Sequence, residues 1–491
     1  MLELIRTGKE ISRSQRFRLT VQLAWPAIVA QLSSIMMQYI DAAMVGRLGA
    51  DDSAAVGLVS TSLWLFWGLC SAATSGFSVQ VAHRIGANDA AGARGVMRQG
   101  ITFSVLFGLM MALIGVAIAW PLPHWLGGTE AVTGKATEYF VAFVAALPIL
   151  TLNYLGSAVL RASGNMKTAG ALNVMMCALD VVFNFFLIFP THHFSLFGMD
   201  LTLSGAGLGV LGAALGTVLA ECVTAAAVMW TATRHQPELA IWGARSRRGL
   251  AESAEPRSTK AFIPTGRVLH NALKVSAPMT MEHAVICGAQ IMVTVIVAPL
   301  GVMAIAANSF AVTAEALCYM PGYGIGDAAS TLVGQSYGAK RKELARQFGY
   351  MSVGLGMAVM TLMGVILWFG APAVMALLSP VADIQALGSS ALRIEAWAEP
   401  MFAASIVSYG VMVGVGDTIL PAAMNFGSIW LVRLPLAAIL APTMGLDGVW
   451  LAMCIELCFR GLIFLWRLLS GAWLRHGLRT DPVEPQPDPN C

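Results

Sequence analysis

The sequence predicts an all-α integral membrane protein with twelve transmembrane helices, which form two homologous six-helix bundles. Three observations predict this fold class. The chain has 491 residues, of which 57% are hydrophobic and 12% are charged, about half the charged share of a typical soluble domain. Apolar stretches of twenty or more residues recur, and each is long enough to cross about 30 Å of hydrocarbon as a helix. The same order of prolines, glycines and charged loops also occurs twice along the chain.

Twelve apolar stretches are expected to be the membrane spans. A closed β-barrel is the other architecture that satisfies the backbone in lipid, but its short segments of alternating polarity are missing from this sequence. In the first half, the expected spans are Leu19–Ala43, Ala54–Gln80, Gly100–Trp120, Tyr139–Leu160, Ala169–Phe189 and Gly207–Thr231. In the second half, they are Leu269–Ala298, Ala304–Val333, Phe348–Gly370, Ala391–Val415, Ile419–Ala441 and Gly448–Leu469.

The basic residues predict which side of the membrane each loop faces. With both termini inside, the cytoplasmic segments contain 23 of the 30 Lys and Arg residues, whereas the outer loops contain only Arg47 and Lys135. The positive-inside rule requires this bias, so we expect a multi-pass protein of the cell inner membrane with both termini in the cytoplasm. The net charge of +3 therefore reflects topology. Nucleic-acid binding is disfavoured, because the basic residues are divided among many loops.

The composition also divides the chain into five expected segments. They are a cytoplasmic N-terminal arm (1–18), an N-terminal six-helix lobe (19–231), a cytoplasmic linker (232–268), a C-terminal six-helix lobe (269–469) and a cytoplasmic tail (470–491). The linker is polar and basic, which is typical of a flexible connection between two bundles.

The two lobes are related by an internal repeat. A shift of 252 residues aligns prolines, glycines and polar residues of one half with the same residues of the other. The aligned pairs include Pro26 with Pro278, Gly86 with Gly338, Arg94 with Arg346, Pro148 with Pro400, Gly164 with Gly416 and Asn173 with Asn425. Because each copy has an even number of spans, both enter the membrane in the same direction and are related by a pseudo-two-fold axis along the membrane normal. Parallel repeats of this kind are a transporter architecture with a substrate cavity between the halves. Gene duplication in a channel or a membrane enzyme is the alternative.

Several local patterns resemble one family. The first span reads WPAIVAQLSSIMMQYIDAAMVGRLG, the eighth reads AEALCYMPGYGIGDAASTLVGQSYGAK, and the connection between the fourth and fifth reads LRASGNMKTAGALN. In combination they resemble the bacterial members of the multidrug and toxic compound extrusion (MATE) family, from about Leu19 to Leu469. The resemblance implies a V-shaped transporter of twelve helices that extrudes organic cations and drugs in exchange for protons or sodium ions.

The resemblance places the ion-coupling residues in the N-terminal lobe. Asp41 matches the family's first-helix aspartate, although an ordinary aspartate at the outer end of a span is the alternative. Asp180 and Asn184 are four residues apart on the fifth span and share a helix face, in the reverse of the order common in the family. Thr217 matches a polar position of the sixth span, where a plain interhelical hydrogen bond is equally consistent with the sequence.

The C-terminal lobe has an acidic set of its own. Glu282 follows Pro278 by four residues, as in many bacterial relatives, and Glu315 matches a recurring glutamate of the eighth span. Asp327 lies in GIGDAAST, where relatives usually have a small or apolar residue, and Glu399 precedes Pro400, with Glu395 one turn earlier. Isolated charges cost at least ~2.5 kcal/mol each near the bilayer centre. We expect Glu282, Glu315, Asp327 and Glu399 to line a cavity for the substrate or a cation.

A structural role remains the alternative for some of these residues. His283 and Arg393 are candidate partners that would turn the acidic residues into ion pairs. Tyr39, Trp64 and Tyr154 are expected to contact cationic drugs through their ring faces. Aromatic residues at span ends are also common as anchors at the membrane interface.

The sequence thus predicts a secondary antiporter, not an enzyme. It has no GxxxxGK[ST] phosphate loop, so we expect no cofactor and an H⁺ or Na⁺ gradient as the energy source, with Asp41 and Asp180 as possible Na⁺ ligands. The expected substrates are amphipathic organic cations, the expected contact of the outer surface is membrane lipid, and the expected oligomeric state is a monomer.

A lipid-linked saccharide flippase is the nearest alternative function, and it would need a more basic central cavity. A polytopic membrane enzyme would need a catalytic constellation that the sequence does not contain.

Overall fold

A computed structural model describes residues 3–6, 10–196, 199–241 and 262–478. Most of the expected linker and the end of the expected tail lie outside the described residues.

Spans 1–6 form the N-terminal lobe and spans 7–12 form the C-terminal lobe. Spans 1–6 are Arg13–Gly46, Ala50–Gly86, Ala90–Ile118, Glu130–Ala145 with Leu147–Ala162, Met166–Ile188, and Gly209–Trp230 with the π-helical turn Thr231–His235. Spans 7–12 are Gly266–Val297, Val302–Gly338, Lys342–Leu378, Ala382–Ala396 with Glu399–Val415, the interrupted helix of Ile419–Gly427, Ser428–Arg433 and Leu434–Met444, and Leu446–Ser470.

Shorter elements connect the spans or flank them. Short helical turns lie outside the spans at Glu3–Arg6, Pro121–Trp125, Ala298–Leu300 and Ala472–Leu474. An antiparallel strand pair, Pro190–Leu196 with Met199–Ala206, joins spans 5 and 6. Sequence reasoning did not predict this pair. The interior breaks of span 11 were also not predicted, because its apolar character continues across them.

Among the described residues, ten helices are long and apolar enough to span a membrane alone, and two bent helix pairs bring the total to twelve. Span 4 bends by 49° before Pro148 and span 10 by 61° before Pro400. Proline lacks the backbone N–H that would continue the helical ladder, which explains a break at both repeat-related positions. The predicted starts at Tyr139 and Ala391 are wrong, because the helices begin at Glu130 and Ala382. These first turns contain charged residues that lower the local hydropathy.

The two lobes meet in a reciprocal contact that follows the 252-residue repeat. His83 Nε2 on span 2 lies 2.8 Å from the backbone oxygen of Gly414 on span 10. At the equivalent positions, Gln335 Nε2 on span 8 donates to the backbone oxygen of Ala162 on span 4 at 2.7 Å. Each lobe therefore hydrogen-bonds the other with the same pair of repeat positions, which is the arrangement expected of a pseudo-two-fold axis.

Two glycines allow this contact. A Cβ on Gly86 would lie 2.0 Å from the backbone oxygen of Gln335, and a Cβ on Gly338 would lie 2.1 Å from that of His83. The obstacle is backbone in both cases, so a side chain there would force spans 2 and 8 apart. Both glycines were visible in the sequence as repeat partners, but their role depends on the crossing of the two helices.

Each lobe has its own buried core, and the outer surface is apolar. Phe66, Phe140 and Phe143 are buried in the N-terminal lobe, and Trp450 is buried in the C-terminal lobe. Long hydrophobic side chains remain exposed on the outer spans, for example Phe369 at 72%. An exposed apolar surface of this extent is incompatible with water and fits contact with lipid.

Candidate functional site

Spans 1 and 5 bring two carboxylates together around one amide, and we call Asp41, Asp180, Asn184 and Thr217 the N-lobe cluster. The Asn184 side-chain nitrogen donates to Asp41 Oδ1 at 2.9 Å and to Asp180 Oδ2 at 3.1 Å. The two carboxyl groups are also within hydrogen-bonding reach of each other. Thr217 on span 6 lies beside Asp180, and its hydroxyl donates to the backbone oxygen of Ala213 at 3.2 Å. The structure therefore gathers all four predicted residues in one place.

The N-lobe cluster has unused acceptors. Asp180 and Asn184 are fully buried, and Asp180 Oδ1 and Asn184 Oδ1 have no hydrogen-bond partner. The one amide group uses both of its N–H groups on the two carboxylates. Buried polar atoms are costly when they lack a partner, and two neighbouring carboxylates repel each other. A proton or a small cation placed between the oxygens would relieve both penalties.

Local sequence explains why the helices approach so closely here. Asp180 and Asn184 are one helical turn apart, so both face span 1 and span 6. On span 6, Gly216 packs directly against this face, and a Cβ there would lie 2.1 Å from Asn184 Oδ1. Only a glycine at this position leaves the amide free to bridge the two carboxylates.

Sequence reasoning missed a further carboxylate of the N-terminal lobe, Glu221 on span 6. It accepts a 2.5 Å hydrogen bond from the side-chain nitrogen of Asn153 on span 4. It also lies within electrostatic range of Asp180 and of Tyr154, which was predicted as a drug contact. A signal was available, because Glu221 follows Thr217 by four residues and thus lies on the same helix face.

Glu282 is held between spans of the C-terminal lobe. Its carboxylate accepts a hydrogen bond from the Tyr409 hydroxyl at 2.5 Å and another from the side-chain nitrogen of Asn425. The side chain is 7% exposed. Asn425 is the repeat partner of Asn173, which donates instead to Ser34 Oγ and the backbone of span 1. The same repeat position therefore serves different partners in the two lobes.

Glu315, Glu395 and Glu399 form a separate buried group, which we call the C-lobe glutamates. Glu395 and Glu399 are fully buried, and none of their four carboxylate oxygens has a hydrogen-bond partner. Glu315 and Glu395 lie close enough to interact electrostatically. Arg433 and Arg460 lie within electrostatic range of Glu315. Arg460 itself pairs with Glu456, with 3.1 Å between its Nε and Glu456 Oε1.

The two candidate partners of the acidic residues, His283 and Arg393, make other contacts. Among the described residues, His283 forms no ion pair with an acidic side chain; its Nε2 donates to the backbone oxygen of Trp64 at 3.1 Å. Arg393 donates from Nε to the backbone oxygen of Trp368 at 3.3 Å and lies over that indole ring. The contacts of His283 with Trp64 and of Arg393 with Trp368 depend on how the helices pack, which the sequence does not show.

A cavity of about 430 Å³ lies between the two lobes. Spans 2 and 4 line it on one side, and spans 7, 8 and 10–12 line it on the other. Its ionisable lining residues are Arg161, Glu282, His283, Asp327 and Arg460, and its aromatic lining residues are Tyr323, Phe402 and Tyr409. Asp327 faces Arg161 across the lobes, with 3.7 Å between Oδ2 and Nε. Two of the predicted cavity residues, Glu282 and Asp327, thus lie at the boundary between the lobes.

The other predicted cavity residues lie elsewhere. Glu315 and Glu399 belong to the C-lobe glutamates and do not line this cavity. The Tyr39 hydroxyl donates to the backbone oxygen of Thr313 and so links spans 1 and 8. Trp64 is 48% exposed on span 2, and Tyr154 lies beside Glu221. Motif matching located these residues along the chain but not relative to the lobe boundary.

Comparison with known proteins agrees with this two-lobed geometry. The MatE family model matches residues 26–186 and 278–439, one match in each lobe. The chain belongs to the MatE family. The resemblance that the span motifs carry is therefore confirmed, and so is the twelve-helix, two-lobed fold class. The chain is a multi-pass membrane protein and an efflux transporter of this family, not an enzyme.

Relatives match along almost the whole chain. A probable multidrug resistance protein NorM of Chromobacterium violaceum is 25% identical over 474 residues, which cover 94% of this chain and 96% of the relative. A probable multidrug resistance protein NorM of Pseudomonas aeruginosa is 28% identical over 444 residues, which cover 88% of this chain and 84% of the relative. A multidrug resistance protein NorM of Burkholderia vietnamiensis is 26% identical over 457 residues, with 91% and 92% covered.

Solved structures share the fold at low sequence identity. A MATE protein in complex with MaL6 superposes with a TM-score of 0.84 at 20% identity, with 96% of this chain and 99% of that chain covered. A MOP superfamily transporter from Pyrococcus furiosus gives a TM-score of 0.83 at 20% identity, with 96% and 98% covered. The Vibrio cholerae MATE transporter VcmN gives 0.81 at 18% identity, with 93% and 97% covered.

Proposed function

We propose that this MATE protein is an ion-coupled antiporter that exports amphipathic, mostly cationic compounds in exchange for H⁺ or Na⁺. The observation that carries the proposal is the amide-bridged pair of Asp41 and Asp180, with the orphaned oxygens Asp180 Oδ1 and Asn184 Oδ1 beside it. The names of the relatives support a multidrug substrate range. A pair of buried carboxylates is costly without a counter-ion, so the pair favours whichever ion the gradient delivers.

In this mechanism, the ion and the drug occupy different parts of the molecule. The ion binds in the N-lobe cluster, where it neutralises the carboxylates and completes the hydrogen bonding of Asp180. The drug binds in the central cavity, where Glu282 and Asp327 attract a positive charge and Tyr323, Phe402 and Tyr409 supply apolar and cation–π contacts. Ion binding on one face of the membrane then favours the conformation that releases the drug. The two ligands alternate because each favours a different arrangement of the lobes.

The coupling ion is proposed from the available ligands. Among the described residues, no three His, Cys, Asp or Glu side chains come close enough together to hold a metal ion. A sodium ion at Asp41 and Asp180 would therefore need oxygens from Asn184 and Thr217 as well, whereas a proton needs only the carboxylates. We propose H⁺ or Na⁺ at this cluster, with no further cofactor.

The charges of the cavity favour a drug antiporter over a lipid-linked saccharide flippase. Arg161 and Arg460 line the cavity, and a pyrophosphate group would need both of them free. Instead, Arg161 faces Asp327 and Arg460 pairs with Glu456. The cavity is therefore of mixed charge, which suits cationic amphipaths better than a dianionic head group.

Transport in proteoliposomes tests the proposal. Purified protein is reconstituted, and drug movement is followed while the pH gradient and the sodium gradient are imposed separately. We expect uphill drug movement with at least one gradient and none with both dissipated. Drug accumulation that ignores both gradients would overturn the antiport proposal.

The membrane arrangement remains part of the proposal. We propose that the arm (1–18), the linker (232–268) and the tail (470–491) are cytoplasmic, that 19–231 and 269–469 form the two lobes, and that the transporter works as a monomer. A cysteine placed at Ser246, outside the described residues, tests the linker. We expect it to be protected from a membrane-impermeant thiol reagent in intact cells and to react after permeabilisation.

A further inference from the structure

Glu221 on span 6 is a half-buried carboxylate of the N-terminal lobe that the mechanism above does not use. It accepts the Asn153 hydrogen bond at 2.5 Å, and among the described residues no Lys, Arg or His forms an ion pair with it. Its other neighbours within electrostatic range are Asp180 and Cys177 on span 5 and Tyr154 on span 4, with Cys222 adjacent on its own helix. None of these supplies a positive charge.

The Asn153 amide carries a second, independent observation. Asn153 is 7% exposed, and its Oδ1 is buried with no hydrogen-bond partner, while its nitrogen is committed to Glu221. Together with Asp180 Oδ1 and Asn184 Oδ1, three buried carboxylate or amide oxygens of the described N-terminal lobe have no hydrogen-bond donor or cation beside them. All three are acceptors, so a neutral apolar group could not satisfy any of them.

The position of Glu221 separates it from the N-lobe cluster. Span 6 begins at Gly209, so Thr217 lies ~12 Å and Glu221 ~18 Å along the helix at 1.5 Å per residue. Glu221 therefore lies one helical turn farther from the start of span 6 than Thr217 does. Asp41, Asp180 and Glu221 also do not converge as one three-carboxylate metal site. Glu221 is therefore a separate position.

We propose that Glu221 and Asn153 form a second binding position for the coupling cation in the N-terminal lobe, separate from Asp41 and Asp180. The ligand is a proton, or a sodium ion held by the carboxylate of Glu221 and Oδ1 of Asn153. The cation passes between this position and the N-lobe cluster through Asp180, which is the neighbour they share. The inference rests on the proposed ion-coupled function and adds one coupling charge to it.

The extra charge has a measurable consequence. One elementary charge that crosses 100 mV corresponds to ~2.3 kcal/mol, or about a fiftyfold change in the substrate gradient that the transporter can sustain. Removal of Glu221 should therefore lower the steady-state gradient about fiftyfold at that potential. Substrate affinity should stay unchanged, since Glu221 does not line the cavity.

The test compares Glu221→Gln with the wild-type protein in proteoliposomes under a fixed ion gradient. The same purified proteins in detergent give the number of protons released per drug bound, and release with and without sodium distinguishes a proton from Na⁺. We expect Glu221→Gln to bind drug normally, release fewer ions and sustain a lower gradient. Glu221→Asp should restore part of both. Glu138→Gln, an exposed acid on span 4, is the matched control and should behave as wild type.

Each outcome decides a different question. Wild-type ion release and gradient in Glu221→Gln would overturn the second position and leave only an interhelical hydrogen bond to Asn153. Lack of ion dependence in the wild-type protein would instead overturn the antiport proposal itself. If Glu221→Gln fails to fold, Glu221→Ala replaces it because it also removes the carboxylate, and wild-type ion release in that variant counts against the inference.

Discussion

The two lobes bury acidic side chains in different ways. In the N-terminal lobe, Asp41 and Asp180 share the amide of Asn184. In the C-terminal lobe, the carboxylates of Glu395 and Glu399 have no hydrogen-bond partner, and arginines lie within range of their neighbour Glu315. An amide bridge leaves the net charge of its pair uncompensated, whereas nearby arginines reduce it. The N-lobe pair therefore has more uncompensated charge for an external cation to neutralise than the C-lobe glutamates have.

This difference arises although the scaffold is duplicated. At the 252-residue shift, Asp41 aligns with Val293 and Glu315 aligns with Leu63, so neither acidic site has a copy. Positions that shape the backbone do have copies, as at the bends before Pro148 and Pro400. The repeat thus preserves the packing of the helices while the chemistry of each lobe is free to diverge.

The largest effect should come from Asp41. We expect Asp41→Asn to abolish ion-coupled efflux while the fold persists, because the change keeps the shape but removes the charge that binds the ion. Reconstituted protein under an imposed gradient provides the measurement, and the thermal unfolding midpoint provides the folding control. A normal transport rate in this variant would falsify the coupling role of Asp41. It would also remove the reason to assign ion binding to the N-terminal lobe and not to the C-terminal lobe.

The duplicated contact should give equal effects in both lobes. Gly86→Ala and Gly338→Ala each place a Cβ about 2 Å from a backbone oxygen of the other lobe. Overpacking of this kind costs ~1–3 kcal/mol, so both variants should unfold at lower temperature and transport more slowly. Gly354→Ala is the control, because a Cβ there meets nothing within 4 Å. A large effect in only one glycine variant would show that the contact is not symmetric in function.

Smaller and selective effects are expected for the C-terminal acids. Glu282→Gln should change the affinity for cationic drugs and leave neutral drugs nearly unaffected, because the Glu282 carboxylate lines the cavity. Glu399→Gln, which lies outside the cavity lining, should change the affinity for either kind of drug less. A panel of cationic and neutral substrates, with Asp41→Asn and Asp180→Asn for comparison, gives the measurement. Loss of transport of every substrate in the glutamate variants, with near-normal transport in both aspartate variants, would mean that the C-terminal lobe and not the N-terminal lobe couples the ion.

The smallest effect should come from the pair across the cavity. Arg161 and Asp327 are 3.7 Å apart, and their side chains are 34% and 36% exposed. Pairs this exposed contribute about 0–1 kcal/mol. Asp327→Asn should therefore change the unfolding midpoint very little and lower the affinity for cationic drugs only a few fold. A large loss of stability in this variant would make the pair a structural connection between the lobes.

Motifs on single spans were enough to predict the family, the twelve spans and the four residues of the N-lobe cluster. Asp180 and Asn184 could be paired because residues four apart on a helix share a face. Glu221 has the same spacing from Thr217, but its partner Asn153 is on another span, and nothing in the sequence links the two. Glu315 was assigned to a cavity because it matches a recurring glutamate of the eighth span, and Glu399 because it is an intramembrane acid beside Pro400. Helix packing instead placed both in a group of their own.

The sequence by itself determined what depends on one helix or on one repeat. Hydropathy identifies membrane spans, since lipid requires long apolar helices, and a fixed shift identifies the duplication. Only the tertiary structure decided which polar groups meet, where His283 and Arg393 point, and how Gly86 and Gly338 let the lobes touch. Those contacts depend on the crossing angles and rotations of neighbouring helices. These are set by packing across the whole bundle, and no local pattern of residues encodes them.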